Sequence, residues 1–206
     1  MTHISLPPLH EKKWSALNEH ILPRVATLGW DEHALFSALA PEHQPTLRAF
    51  FPQGVRDMLT CLNQEHLRQL GEHGRAHPTT GTKATLQAAL LHKAHMIRSQ
   101  QALAHKTTAY LALHPHLARD LSLATINQLW QWAGDTSTPS QSAYHTKRLT
   151  LGYVYLATVL YAQKSPPPED DALKAFIDRR LAEVAQGATL LRPITDKIKD
   201  TFSTAR

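Results

Sequence analysis

Residues 129–148, LWQWAGDTSTPSQSAYHTKR, together with LTLGYVYLATVLYA over residues 149–162, decide how this chain folds. Two of the four tryptophans, Trp130 and Trp132, close an apolar run that begins near Leu117. Gly134 then supplies a helix stop, because a residue without Cβ takes up the left-handed conformation at little cost. Asp135 to Ser140 is turn chemistry: short polar side chains bond to nearby backbone, and Pro139 cannot continue a helix. A second apolar segment restarts at Tyr144 and reaches Ala162. Two apolar helices joined by a polar loop, with aromatics at both rims, make a helical hairpin.

Working outward, the pattern stays helical. Leu117, Leu121, Leu123, Ile126 and Leu129 form the apolar face before the hairpin, and His114-Pro115 breaks it from a helix over residues 102–113. Residues 82–99 carry Leu86, Leu90, Leu91 and Ile97 at helical spacing, and GEHGRAHPTTG at 71–81 reads as the main internal loop. Trp14, Leu17, Ile21, Val25 and Leu28 define a first helix that Pro23 kinks or ends. Asp31 caps a short helix holding Leu35, Phe36 and Leu39; Pro45 starts another with Leu47, Phe50 and Phe51. Val55, Met58, Leu59 and Leu62 open a longer helix towards Leu70. Beyond the hairpin, Ser165-Pro166-Pro167-Pro168 is a stiff linker, and Glu169-Asp170-Asp171 begins a helix with Leu173, Phe176, Ile177, Leu181 and Val184 that ends at Gly187. No stretch shows β alternation, so the fold is all-α. Three regions are expected: a small N-terminal module over 1–70 that includes the start of the body, a helical body over 82–187, and an amphipathic tail over 188–206.

With 206 residues, 42% hydrophobic and 19% charged, the chain is globular and of one-domain size, or one domain plus a small N-terminal module. A net charge of +5 suits an acidic partner, anionic lipid or nucleic acid, without choosing between them. Cys61 is the single cysteine, which excludes an internal disulfide and a cysteine-based zinc cluster. The segment MTHISLPPLHEKKW lacks an apolar core and reads as neither a signal nor a transit peptide. Residues 149–162 are too short to span a bilayer, which needs about 20 residues. A soluble protein, or one lying on a membrane, is expected.

Fourteen histidines raise the question of a metal, with pairs such as His92/His95 and His73/His77 at helical spacing. HExxH, the carboxylate-plus-His repeat of di-iron sites and cysteine partners are all missing, so these histidines read as solvated and no metal site is expected. GxSxG, P-loop and GxGxxG patterns are missing too, and the chain is expected to be neither an enzyme nor a cofactor carrier. Apolar volume remains. The helices around the hairpin offer Trp130, Trp132, Tyr153, Leu156 and Leu160, either as packed core or as the walls of a ligand pocket. At the hairpin mouth Leu129, Tyr144 and Arg148 could form an interface patch; alternatively Arg148 pairs with Asp135 across the hairpin. In the tail, Ile194, Ile198 and Phe202 recur every fourth residue beside Lys197 and Lys199. Such a helix lies in a membrane interface or docks on the core, with Pro193 as a hinge.

Two resemblances add to this. Three short helices and a long one, ending in PTLRAFFPQGVRDML, resemble a TetR-type helix-turn-helix module. Residues 41–46 hold two prolines, however, and Arg48 is the only strongly basic residue nearby, so a degenerate structural remnant fits better than a DNA reader. The second lies in WxxAGDxST at 130–138, YxTKRxxLxxVYxxT at 144–158 and FxDRRLxxV at 176–184. These motifs resemble the ubiquinone-biosynthesis accessory protein family, the ninth member of the Coq series, strongly over 127–186 and weakly before it.

That resemblance implies a TetR-like all-α fold that has given up transcription. It implies binding of isoprenoid quinone intermediates and their delivery to the di-iron demethoxyubiquinone hydroxylase. Trp130, Trp132, Tyr153, Leu156 and Leu160 would wall a lipid channel. Leu129, Asp135, Tyr144, His145 and Arg148 would form the partner patch, and Ile194, Lys197, Ile198, Lys199 and Phe202 would touch the membrane. The loop here is two residues longer than the family's usual AGD–TKR spacing, and His145 stands where a second aromatic is usual. The expected protein is a non-catalytic lipid binder, cytoplasmic and peripheral on the inner membrane, with a homodimer possible through its last two helices and nucleic acid not expected as a partner. The rival is a TetR-like regulator with an apolar effector pocket.

Overall fold

A computed structural model describes the backbone of residues 8–203 and the side chains of residues 9–186. In chain order the helices are α1 (Pro8–Ala16), α2 (Leu22–Leu28), α3 (Glu32–Ser37), α4 (Gln44–Phe50), α5 (Val55–Ala76), α6 (Thr82–Ser99), α7 (Gln101–Leu113), α8 (Pro115–Trp132), α9 (Ser142–Ala162) and α10 (Asp170–Ser203). No strand occurs among the described residues, and the fold is all-α.

Pro23 does not end the first helical stretch. A π-helical turn over Leu17–Ile21 links α1 to α2, and the Leu22 N–H bonds to the Leu17 carbonyl across it. Proline lacks a donor and crowds the carbonyl four residues back, and a widened turn just ahead of it relieves both problems. The helical run therefore continues, and Leu17, Ile21 and Val25 stay fully buried. Asp31 caps α3 as expected, its Oδ1 accepting the Ala34 N–H at 2.9 Å. Gly54 turns the chain into α5 at φ +58°, where a Cβ would collide with the Glu32 carboxylate.

Two helix boundaries differ from expectation. Helix α5 passes through Gly71 and Gly74 to Ala76, so the loop is only 77–81. Gly71 is helical because its missing side chain leaves a seat: a Cβ there would stand 3.2 Å from Cζ2 of Trp132. Helix α10 likewise passes Gly187 and Pro193 and ends at Ser203. Glycine inside a helix costs only about 1 kcal/mol, and strong helix formers flank both positions. The expected membrane contacts Ile194, Lys197, Ile198, Lys199 and Phe202 lie outside the described side chains.

Burial is organised in two cores. The first joins α1 to α5 through Leu17, Val25, Leu35, Phe36, Leu47 and Met58, with Leu103 of α7. The second joins α6, α8, α9 and α10 through Leu90, Ala94, Ile126, Leu129, Val154 and Ile177. Gly152 lets α9 approach α8 closely, since a Cβ there would stand 3.2 Å from Ile126 Cδ1.

Candidate functional site

At the hairpin mouth α8 ends, Gly134 turns at φ +78°, and the Asp135 N–H bonds back to the Trp130 carbonyl at 2.9 Å. The Asp135 carboxylate, 1% exposed, collects Lys147 Nζ at 2.6 Å, Arg148 Nη1 at 2.8 Å and Ser137 Oγ at 2.7 Å. Burial pushes this carboxyl's pKa up, but the bonds from Lys147, Ser137 and Arg148 outweigh it and hold it well below the usual carboxylate range. Arg148 also donates from Nε to Asn127 Oδ1 at 2.9 Å, and its guanidinium lies 3.4 Å from the centroid of the Tyr144 ring. The Trp130 indole N–H donates to the Lys147 carbonyl at 3.1 Å. This network ties the two arms of the hairpin together.

Three of the expected partner contacts thus turn inward. Leu129 is 1% exposed in the second core, because its position on α8 faces α6 and α9 rather than the hairpin mouth. Asp135 and Arg148 are committed to each other, so the ion-pair alternative for Arg148 is the one realised. Tyr144 is half-buried under the guanidinium, and His145 is exposed, donating from Nε2 to the Pro139 carbonyl at 2.9 Å.

The expected lipid residues divide as well. Trp130 and Trp132 are half-buried against the second core. Tyr153, Leu156 and Leu160 face outward and are 52%, 56% and 51% exposed. With Leu149, 76% exposed, they continue one stripe along α9 at steps of four, three and four residues.

None of these five residues lines the pocket that the helices enclose. That pocket, about 120 Å³, lies at the seam of the two cores, between Leu59 and Leu62 of α5, Ile97 of α6, Leu111 of α7, and Tyr155 and Val159 of α9. Lys93 and His66 line it too, and the sequence reading passed over both. A signal was available: position 93 shares the helical face of Leu86, Leu90 and Ile97, where a lysine is out of place.

Elsewhere, His73 stacks on His92 with ring centroids 3.9 Å apart and on His77 at 4.4 Å, joining the C-terminal end of α5 to the middle of α6. Their rings lie face to face, and no group of three His, Cys, Asp or Glu side chains with metal-site geometry occurs among the described residues. Cys61 is buried, and burial pushes its thiol up to about 11, so it stays protonated and unreactive at neutral pH. No helix among the described residues is long and apolar enough to cross a membrane.

The geometry is that of an all-α domain whose polar network at the hairpin mouth serves structure. Residues 116–188, which span α8, α9 and the first half of α10, match the COQ9 family model, so this stretch is a COQ9 domain and the family ties the chain to ubiquinone biosynthesis. The motifs at 130–138, 144–158 and 176–184 all fall inside the match. None of the curated proteins matches the chain.

Proposed function

We propose that this chain is a non-catalytic lipid-binding accessory protein of ubiquinone biosynthesis. It holds an isoprenoid quinone intermediate and presents it to the di-iron demethoxyubiquinone hydroxylase at a membrane surface. The observation that carries this reading is the outward stripe of Leu149, Tyr153, Leu156 and Leu160 within the COQ9 domain. Each side chain is at least half exposed, and four such neighbours in a row mark a place for apolar contact rather than ordinary surface. An isoprenoid tail laid along α9 would cover them. His145 and the open edge of Tyr144, at the hairpin end of the same helix, would meet the hydroxylase. The basic residues of the C-terminal half of α10 would meet anionic lipid.

Against the regulator reading stands Arg48, the basic residue of α4. Its guanidinium sits 4.3 Å from the Phe36 ring centroid, in a cation–π contact within the molecule.

Organic extraction of the purified chain, made in a quinone-producing host, followed by mass spectrometry, tests the proposal. Prenylated quinones or their precursors in the extract are the expected result. An extract without long-chain lipid would overturn it.

A further inference from the structure

Lys93 is 6% exposed on the inner face of α6. An ammonium is among the least favourable groups to bury, and its usual company indoors is a carboxylate. Among the described residues Lys93 makes no ion pair. Its one hydrogen bond goes from Nζ to Nδ1 of His66, at 2.8 Å. Burial lowers the Lys93 pKa only to about 8, so the amine is still mostly charged at neutral pH. Burial, and then the charge of Lys93, keep His66 neutral and able to accept. The ammonium therefore faces the pocket with hydrogens that the protein does not engage.

Several other polar groups of the wall are already engaged. Asn63 donates to the Leu121 carbonyl and accepts from Thr125. Thr107 accepts from the Trp30 indole and donates to the Leu103 carbonyl. The Gln163 amide donates to Thr108 and to the Val159 carbonyl. An acceptor brought by a ligand would complete Lys93, and the aliphatic walls suit a ligand whose remainder is apolar. The size narrows it further: a cavity of about 120 Å³ is close to the roughly 150 Å³ that accommodates benzene, and far short of a polyprenyl chain.

We propose that the pocket at the seam of the two cores binds an aromatic ring bearing an acidic oxygen, a carboxylate or phenolate, with the Lys93 ammonium as its partner. Resting on the proposed lipid role, this assigns the pocket to the ligand's head ring and leaves the tail to the outer face of α9.

Calorimetric titration of the full chain with 4-ethylbenzoate, ethylbenzene and hexanoate tests it, in wild type and in Lys93→Met, which keeps the length of the side chain. 4-Ethylbenzoate should bind wild type at least about tenfold more tightly than K93M, while ethylbenzene binds both alike. Equal benzoate affinity in the two proteins, or hexanoate binding as tightly as the benzoate, would overturn the assignment. Should K93M fail to fold, methyl spectra of wild type decide: 4-ethylbenzoate must shift Leu62, Ile97 and Val159, and shifts confined elsewhere overturn the site. If no probe binds while extraction yields prenylated quinones, the head-ring pocket is wrong and the lipid role stands. If both experiments are negative, both readings go.

Discussion

Asp135 and Arg148 face each other across the α8–α9 hairpin at 2.8 Å, and the chain between them runs through loop residues 136–141 and the first turns of α9. Lys147 and Ser137 complete the shell of the carboxylate. Removing one member of such a buried pair leaves the other charge without its partner. Asp135→Asn should destabilise the chain by about 3 kcal/mol at pH 7, read from urea midpoints. Arg148→Lys keeps the charge but loses the Nε bond to Asn127 and the planar stack on Tyr144. It should lower stability by roughly 1–2 kcal/mol, and an unchanged midpoint would show that charge alone matters.

The same carboxyl predicts an acid limb. Its folded pKa lies below its unfolded value, so its contribution is complete above about pH 4 and is lost as pH falls further. Wild type should lose stability steeply below pH 4, and D135N should show a shallower slope there. Identical slopes would mean that other carboxylates dominate.

A separate limb should appear at higher pH. Burial, then the neighbouring His73, His95, His77 and Lys93, push the His92 pKa down to about 4, whereas the unfolded imidazole titrates near 6.5. Its stabilising contribution is present above pH 6.5 and declines as pH falls towards 4. Melting temperatures of His92→Gln should vary less than those of wild type over that interval. Equal variation would locate the titration elsewhere.

Gly71 and Trp132 predict a coupled pair. Gly71→Ala gains helix propensity while pressing on the indole, and the two effects should nearly cancel, within about 1 kcal/mol. Gly71→Val has no such gain and should lose about 1–3 kcal/mol. Adding Trp132→Ala should remove the penalty of the valine, and a fully additive double mutant would rule out the contact.

On the outer face of α9, Leu156→Gln with Leu160→Gln should leave the urea midpoint within about 0.5 kcal/mol of wild type, because neither side chain belongs to a core. The amount of lipid extracted should fall. Sedimentation of the same variant separates a second cause: a dimer that dissociates on substitution means that another copy covers the stripe.

Helical spacing and punctuation made most of the fold legible in the sequence. Asp31, Pro115 and the hairpin at Gly134 fall where they were read, because capping and turn chemistry are local. What failed was set by distant groups. Gly71 reads as a break until Trp132, some 60 residues away, is known to rest on it. Pro23 reads as a kink or a stop, and the π-helical turn that lets the helix continue past it has no residue signature. Leu129 sits beside an evident hairpin mouth, and pattern alone does not tell which side of a helix meets its neighbours; of the two roles open to Arg148, the structure selects the ion pair with Asp135. Lys93 was legible in principle, as a charge on an apolar face, yet the aromatics of the hairpin drew attention from it.

The pocket touches both cores at once: Leu59 and Leu62 belong to the first, Ile97 to the second. Anything lodged there is mortar between two courses, since its contacts vanish if either side melts. Its binding free energy therefore adds to the stability of the two halves jointly. A loaded molecule should melt at a higher temperature than an empty one, with both cores gaining together.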